Sequence, residues 1–240
     1  MKQTNVVSYG AGTNSTAMLV GLYERSDRPD AILFADTGGE RPETYSHLAI
    51  VSDWCLSIGF PEIKIIRATG KTLEEDCLDR KALPSIAYGF KTCSLRWKKD
   101  PQDKWLRNNG MADATRLIGI DADEIRRAKD FPNTKYPLIL WGWGRDECVD
   151  AINRAGLPQP GKSACFFCPS SKPKEIVSLG ISHPELLQRA LKIEMNAELT
   201  SIKGLGRTFS WSDIAIAHNS QSDLFKVVQE IPCGCFDGEQ

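Results

Sequence analysis

The residues best equipped for chemistry fall in four short stretches. The first, Gly10-Ala11-Gly12-Thr13-Asn14-Ser15-Thr16, crowds small and hydroxyl-bearing side chains together. Small residues let backbone N–H groups close on an anion, a helix starting at the end of the loop adds partial positive charge, and Ser15 and Thr16 add hydroxyl donors. The chemistry is that of a phosphate cradle. It is not a Walker loop, which needs Lys-Ser/Thr after the glycines, and it is not G-x-G-x-x-G. A glycine-rich turn without a ligand has the same composition. The second stretch, Leu33-Phe34-Ala35-Asp36-Thr37-Gly38, sets a carboxylate and a hydroxyl at the end of an apolar run, where open α/β sheets bind ligands.

The third stretch, Cys165-Phe166-Phe167-Cys168, is a C-x-x-C turn behind the Pro/Gly segment 156–162. A structural zinc or an iron–sulfur site takes about four ligands, so the pair must recruit others, Cys93 among them, or remain as buried thiols. Cys55, Cys77 and Cys148 fall in helical patterns and read as packing. The fourth stretch runs from Lys91 to Arg107. Six basic residues (Lys91, Arg96, Lys98, Lys99, Lys104, Arg107) meet Asp100 and Asp103, a local charge of +4 in a chain of net −1, with Trp97 and Trp105 interleaved. Cations alternating with rings suit a nucleotide or nucleic acid; a solvated helix face over two packed Trp fits the same pattern. His47, His183 and His218 lack ligand spacing and read as surface or capping residues.

Elements of two kinds must position these groups. Short β-type runs at 5–9, 31–35, 62–68 and 115–120 alternate with helical patterns at 13–25, 45–58 and 71–80, the order of a parallel α/β sheet. The basic stretch 91–107 reads as irregular. Helical patterns follow at 145–155, 173–179, 184–200 and 211–218. The expected division is an α/β domain over 1–144 and a helical, Cys-rich region over 145–240.

Composition narrows the class. Of 240 residues 41% are apolar and 25% charged, which excludes a mostly disordered or collagenous chain. No apolar run approaches the roughly 20 residues of a membrane helix, and the first ten residues lack the pattern of a secretory signal. A cytoplasmic location is expected, where paired cysteines are more often metal ligands or catalytic thiols than disulfides.

Four ordered blocks carry a resemblance: Gly10-Ala11-Gly12-Thr13-Asn14-Ser15, Asp36-Thr37-Gly38-Gly39-Glu40-Arg41-Pro42-Glu43-Thr44, the segment 119–129 (GIDADEIRRAK) and the segment 136–158 with Trp141 and Asp146. They resemble the PP-loop superfamily of adenine-nucleotide α-hydrolases, most closely its phosphoadenosine-phosphosulfate (PAPS) reductase branch. Gly10, Thr13 and Asn14 depart from the family's Ser, Lys and Asp, which leaves ATP and a sulfonucleotide (PAPS or APS) both open as substrates. The implied fold is a Rossmann-like parallel sheet with helices on both faces. The implied nucleotide site is Ser8, Gly10, Gly12, Thr13, Asn14, Ser15, Asp36, Thr37, Gly119, Asp121, Glu124 and Arg127, with catalysis on Asn14, Asp36 and Arg127 and with Mg²⁺. Lys91, Arg96 and Lys98 would contact an acceptor or anion, either a nucleic acid or a small molecule.

The segment around Cys93 resembles one that carries a Cys-Cys pair in adenosine-phosphosulfate reductases, with Thr92 replacing the first cysteine. The resemblance therefore implies a [4Fe–4S] cluster on Cys93, Cys165 and Cys168, completed by Cys233 or Cys235 or left with an open iron, with zinc as the alternative. Leu33 to Gly38 also resembles the Asp-Thr-Gly turn of aspartic proteases, but that reading needs an all-β chain. Three functions are implied: ATP pyrophosphatase-type adenylation in service of sulfur transfer, reduction of a sulfonucleotide by a cysteine thiolate, or a non-catalytic binding module with a structural metal.

Overall fold

The protein is seen in a computed structural model that describes residues 3–68 and 70–217. Strands β1 (Asn5–Tyr9), β2 (Ala31–Asp36), β3 (Ile63–Arg67), β4 (Thr115–Ile118) and β5 (Thr134–Lys135) form one parallel sheet in the order β3-β2-β1-β4-β5. All six residues of β2 are buried, as expected of a central strand covered on both faces. Successive side chains leave on opposite faces, so neighbouring residues serve different cores. Val7, Tyr9, Ile32 and Phe34 pack with helices α1 (Thr13–Glu24) and α2 (Pro42–Ser57), whereas Val6, Ala31 and Leu33 pack with Leu106 and Ala114. This is the α/β architecture expected from the alternating pattern, and it removes the protease reading.

Helices α3 (Leu73–Asp79), α4 (Thr92–Ser94), α5 (Asp100–Asn108), α6 (Pro137–Leu140) and α7 (Arg145–Arg154) follow in order. The basic stretch is not irregular. Its helix runs from Thr92 to Asn108 through one π turn, Leu95–Lys99. Pro101 explains the turn, because its ring nitrogen cannot bond the carbonyl four residues back and its ring crowds that carbonyl. The segment after Gly119 is a 3₁₀ helix, Ala122–Arg127.

The chain divides into two compact units at places other than 144/145. One holds residues 1–76 and 91–165, the other 77–90 and 166–240. The physical reason is packing: Cys148, Ala151 and Ile152 of α7 are fully buried in the same core as α1. The second unit contains α8 (Pro173–Ser182) and α9 (Pro184–Asn196), with His183 capping α9. Its Glu194 is a buried carboxylate that accepts from the backbone N–H groups of Leu205, Trp211 and Ser212 (2.7, 2.9 and 2.9 Å) and from the Ser212 hydroxyl (2.6 Å). Among the described residues no helix is long and apolar enough to cross a membrane.

Cys55, Cys77 and Cys148 are buried. Burial pushes the Cys55 and Cys148 thiols up to about 12, the state of inert packing thiols. His47, expected at the surface, is buried instead. It shares the inward face of α2 with Leu48, Val51 and Cys55, and Thr16 supplies the hydrogen bond its ring needs. His218 lies outside the described residues.

Candidate nucleotide site

The strand order reverses at β1: the chain moves outward through β2 and β3, then returns to place β4 on the other side. The crevice beyond the carboxyl ends of β1 and β4 is where such sheets receive ligands. Ser8, at the end of β1, donates to Gln102 Oε1 of α5 at 2.7 Å. The backbone then turns through Ala11, which is buried with φ +54°, a left-handed conformation costing a non-glycine residue roughly 1–2 kcal/mol. Helix α1 begins at once, capped by Gly12.

The side chains of this loop mostly hold the loop itself. Ser15 Oγ accepts from Gly12 N (3.2 Å) and donates to Gly12 O (3.1 Å). Thr16 Oγ1 is buried between Tyr9 Oη (3.0 Å) and His47 Nε2 (3.1 Å). The Ser163 hydroxyl donates to Gly10 O. The N–H groups of the first turn of α1, at Thr13, Asn14 and Ser15, have no acceptor within the helix and are the donors such a turn can offer an anion. Burial lowers the His47 pKa below 6.5 and raises that of Tyr9, which favours the neutral form of each beneath the loop.

Asn14 reaches the opposite wall. Its Nδ2 donates to Asp121 Oδ2 at 2.9 Å and to Glu124 Oε2 at 3.5 Å. Asp121, itself buried, caps the 3₁₀ turn by accepting from Glu124 N at 2.9 Å, and Arg127 pairs with Glu124 across i,i+3, where a 3₁₀ helix aligns side chains. Gly119 makes the approach of the two loops feasible. A Cβ there would lie 2.8 Å from Ser15 Cα and N. Asn14, Gly119, Asp121, Glu124 and Arg127, all expected at the site, are therefore brought together.

Asp36 is at the site but fully engaged. Its Oδ1 accepts from Gly38 N (2.8 Å) and Tyr45 Oη (2.8 Å), and its Oδ2 accepts from Arg67 Nε (2.8 Å) and a terminal nitrogen (2.7 Å). Burial and this carboxylate together raise the Tyr45 pKa. Thr37 Oγ1 accepts from Gly39 N (3.2 Å) and lies 3.1 Å from Cys165 Sγ. Glu40 forms a backbone bridge with Cys165. One carboxylate oxygen of Glu40 pairs with Lys98 Nζ at 3.2 Å, and the other, Oε2, is buried without a partner among the described residues.

A cavity of about 710 Å³ opens between the end of β1, β4 and α5, lined among others by Ser8, Lys98, Lys99, Gln102, Arg107 and Arg116. Its size is that of a small-ligand site. Asp103 on its wall is pushed up by burial, but Lys99 and Arg116 outweigh that and hold its pKa below the ordinary carboxylate value. Of the residues expected to contact an acceptor, Lys98 lines this cavity, Arg96 pairs with Asp76 at 3.3 Å, and Lys91 is exposed. Sequence reasoning missed Gln102, Arg116, Tyr45 and Arg67. Only Arg67 had a readable signal: it ends β3 in register with Asp36, which ends β2.

Cys93, Cys165 and Cys168 are each half-buried, and among the described residues no group of three or more His, Cys, Asp or Glu side chains is placed to hold a metal ion. Cys233 and Cys235 lie outside the described residues.

No known family profile matches the chain. Its sequence is 27% identical over 212 residues to the uncharacterized nin region protein ORF290 of Escherichia phage lambda, covering 77% of this chain and 72% of that one. Among solved structures it is similar to the PAPS reductase of Candida auris in a phosphate complex, with 15% identity and a TM-score of 0.47 over 67% of this chain and 76% of that one. It is likewise similar to the U34-tRNA thiolase NcsA of Methanococcus maripaludis with its [4Fe-4S] cluster, with 16% identity and a TM-score of 0.49 over 87% and 77%.

Proposed function

We propose that this chain is a PP-loop enzyme that binds ATP in the crevice between β1 and β4 and cleaves it beside the α-phosphate. The observation that carries the reading is the Asn14–Asp121 bond, which ties the loop after β1 to the loop after β4; a cation-lined cavity opens beside the ends of the same two strands. The phosphates would lie on the N–H groups of Thr13, Asn14 and Ser15, with the nucleoside toward Gln102. An acceptor oxygen attacks the α-phosphorus, the bond to the bridging oxygen breaks, and pyrophosphate leaves carrying that electron pair. The adenylated acceptor is then open to attack by sulfur, with loss of AMP. No protein nucleophile is required; positioning and charge stabilisation carry the step.

Lys98, Lys99 and Arg116 replace the point charge that a Lys at position 13 would bring to the departing phosphates. Mg²⁺, when bound, would neutralise phosphate charge. Asn14 fits such an ion, since its Oδ1 is a buried acceptor without a partner among the described residues, and Mg²⁺ is typically held by one or two protein oxygens together with substrate phosphates. A cluster or zinc on Cys93, Cys165 and Cys168 stays part of the reading as a separate proposal, and no step above depends on it. Anaerobic purification tests it: broad visible absorbance with about four irons per chain supports the cluster, one zinc in a colourless protein makes the metal structural, and neither metal ends the idea.

A second reading, sulfonucleotide reduction, is favoured by the position of Cys165 Sγ beside Thr37 at the end of β2. There the thiolate attacks the sulfonate sulfur, a sulfur–sulfur bond forms and the nucleotide leaves as its phosphate; an external thiol then releases sulfite. Incubation with ATP and with PAPS or APS separates the readings. Pyrophosphate release supports adenylation, sulfite release supports reduction, and tight nucleotide binding without turnover on any acceptor leaves a binding module.

A further inference from the structure

The basic helix Thr92–Asn108 separates two places, and only one of them belongs to the nucleotide cavity. Lys98, Lys99 and Arg107 line that cavity. A second groove, about 460 Å³, lies where the helix meets the edge strand β3. It is bounded by Arg67, Arg96, Lys104, Trp105 and Asn108, with Asp100 as its acid. Three cations and one carboxylate line it. Arg67 and Arg96 are oriented by Asp36 and Asp76, while Lys104 has no ion-pair partner among the described residues. Trp105 packs against the Leu33–Leu106 core and also lines the groove.

From this we infer that the groove binds one segment of single-stranded nucleic acid, with a base on Trp105 and flanking phosphates on Arg67, Arg96 and Lys104. Every base offers a face for stacking, and guanidinium and ammonium groups on either side match a charged backbone. An acidic peptide would satisfy the cations but leave the indole unused. The volume takes a unit of nucleotide size, not a duplex. Arg67 also ties the groove to the reaction crevice, because the carboxylate it grips, Asp36, ends the strand that leads into Thr37. The inference deepens the proposed function by naming the acceptor's class and rests on that reading for the role of the groove, though not for binding.

The test is fluorescence anisotropy of the full chain with a labelled single-stranded oligoribonucleotide of mixed sequence across a salt series, with ATP binding measured on the same samples. Lys104→Ala is expected to weaken oligonucleotide binding and to shrink the log–log salt slope by about 0.7, with ATP affinity unchanged. Trp105→Leu, which keeps an apolar side chain against the core, is expected to weaken it about 5- to 150-fold. Equal affinity for a duplex or for poly-glutamate, or no response to Lys104→Ala, overturns the inference. ATP binding without oligonucleotide binding overturns it while leaving the proposed function; oligonucleotide binding without ATP binding does the reverse.

Discussion

Asn14 and Asp121, 107 positions apart, share a 2.9 Å hydrogen bond that closes the crevice between the two central strands from above. The bond occupies a donor of the loop after β1 with a protein carboxylate, and Asp121 is buried where it accepts. Asn14→Ala leaves that carboxylate oxygen without its donor. It is expected to cost about 1–3 kcal/mol of stability and to weaken ATP binding, read by urea denaturation and by calorimetric titration. Unchanged ATP affinity in a folded variant would remove Asn14 from the site.

Gly119 has a steric task. A methyl group there meets the backbone of Ser15 at 2.8 Å, and neither backbone can move without shifting α1 or β4. Gly119→Ala is expected to destabilise by about 1–3 kcal/mol and to lower nucleotide affinity, whereas Gly110→Ala, on an open turn with nothing within 4 Å, leaves nucleotide affinity as it is.

Tyr45 and Arg67 converge on one buried carboxylate. Tyr45→Phe removes the donor to Asp36 Oδ1 while Gly38 N and Arg67 remain. A loss of about 1.5–3 kcal/mol is expected, the range for a hydrogen bond to a charged group. Thermal unfolding measures it. A change below the error would mean that Gly38 N and Arg67 suffice for Asp36.

His47 makes stability depend on pH. Burial holds its folded pKa below the ordinary 6.5, so between the two values the unfolded chain carries a proton that the folded chain lacks. The contribution is fully present above about 6.5 and is lost as pH falls through the folded pKa, with a slope of at most about 1.4 kcal/mol per pH unit. His47→Gln keeps a polar group near Thr16 and is expected to flatten the stability profile below that pH. An unchanged profile would assign the acid sensitivity to the carboxylates.

Much of the sheet was legible because it follows from local pattern. The residues 5–9 are the strand observed, and Ala31 to Ala35 lie within β2. The two residues of β5 were not, since Thr134 and Lys135 carry no apolar alternation and form a strand only because β4 offers an unpaired edge. The basic helix was missed for a related reason: Pro101 argues against a helix locally, and the π turn accommodates it.

The sequence by itself determined which residue types stand at each strand end, because a short loop after a strand leaves its residues nowhere else to go. Ser8, Gly12, Asp36 and Gly119 are at the crevice for that reason. Their tasks were decided by tertiary structure. Ser15 and Thr16 turn inward to support the loop, Asp36 is satisfied by Tyr45 and Arg67, and Asn14 faces a carboxylate. Buried polar groups must find partners, and those partners come from segments whose distance along the chain carries no record of their distance in space.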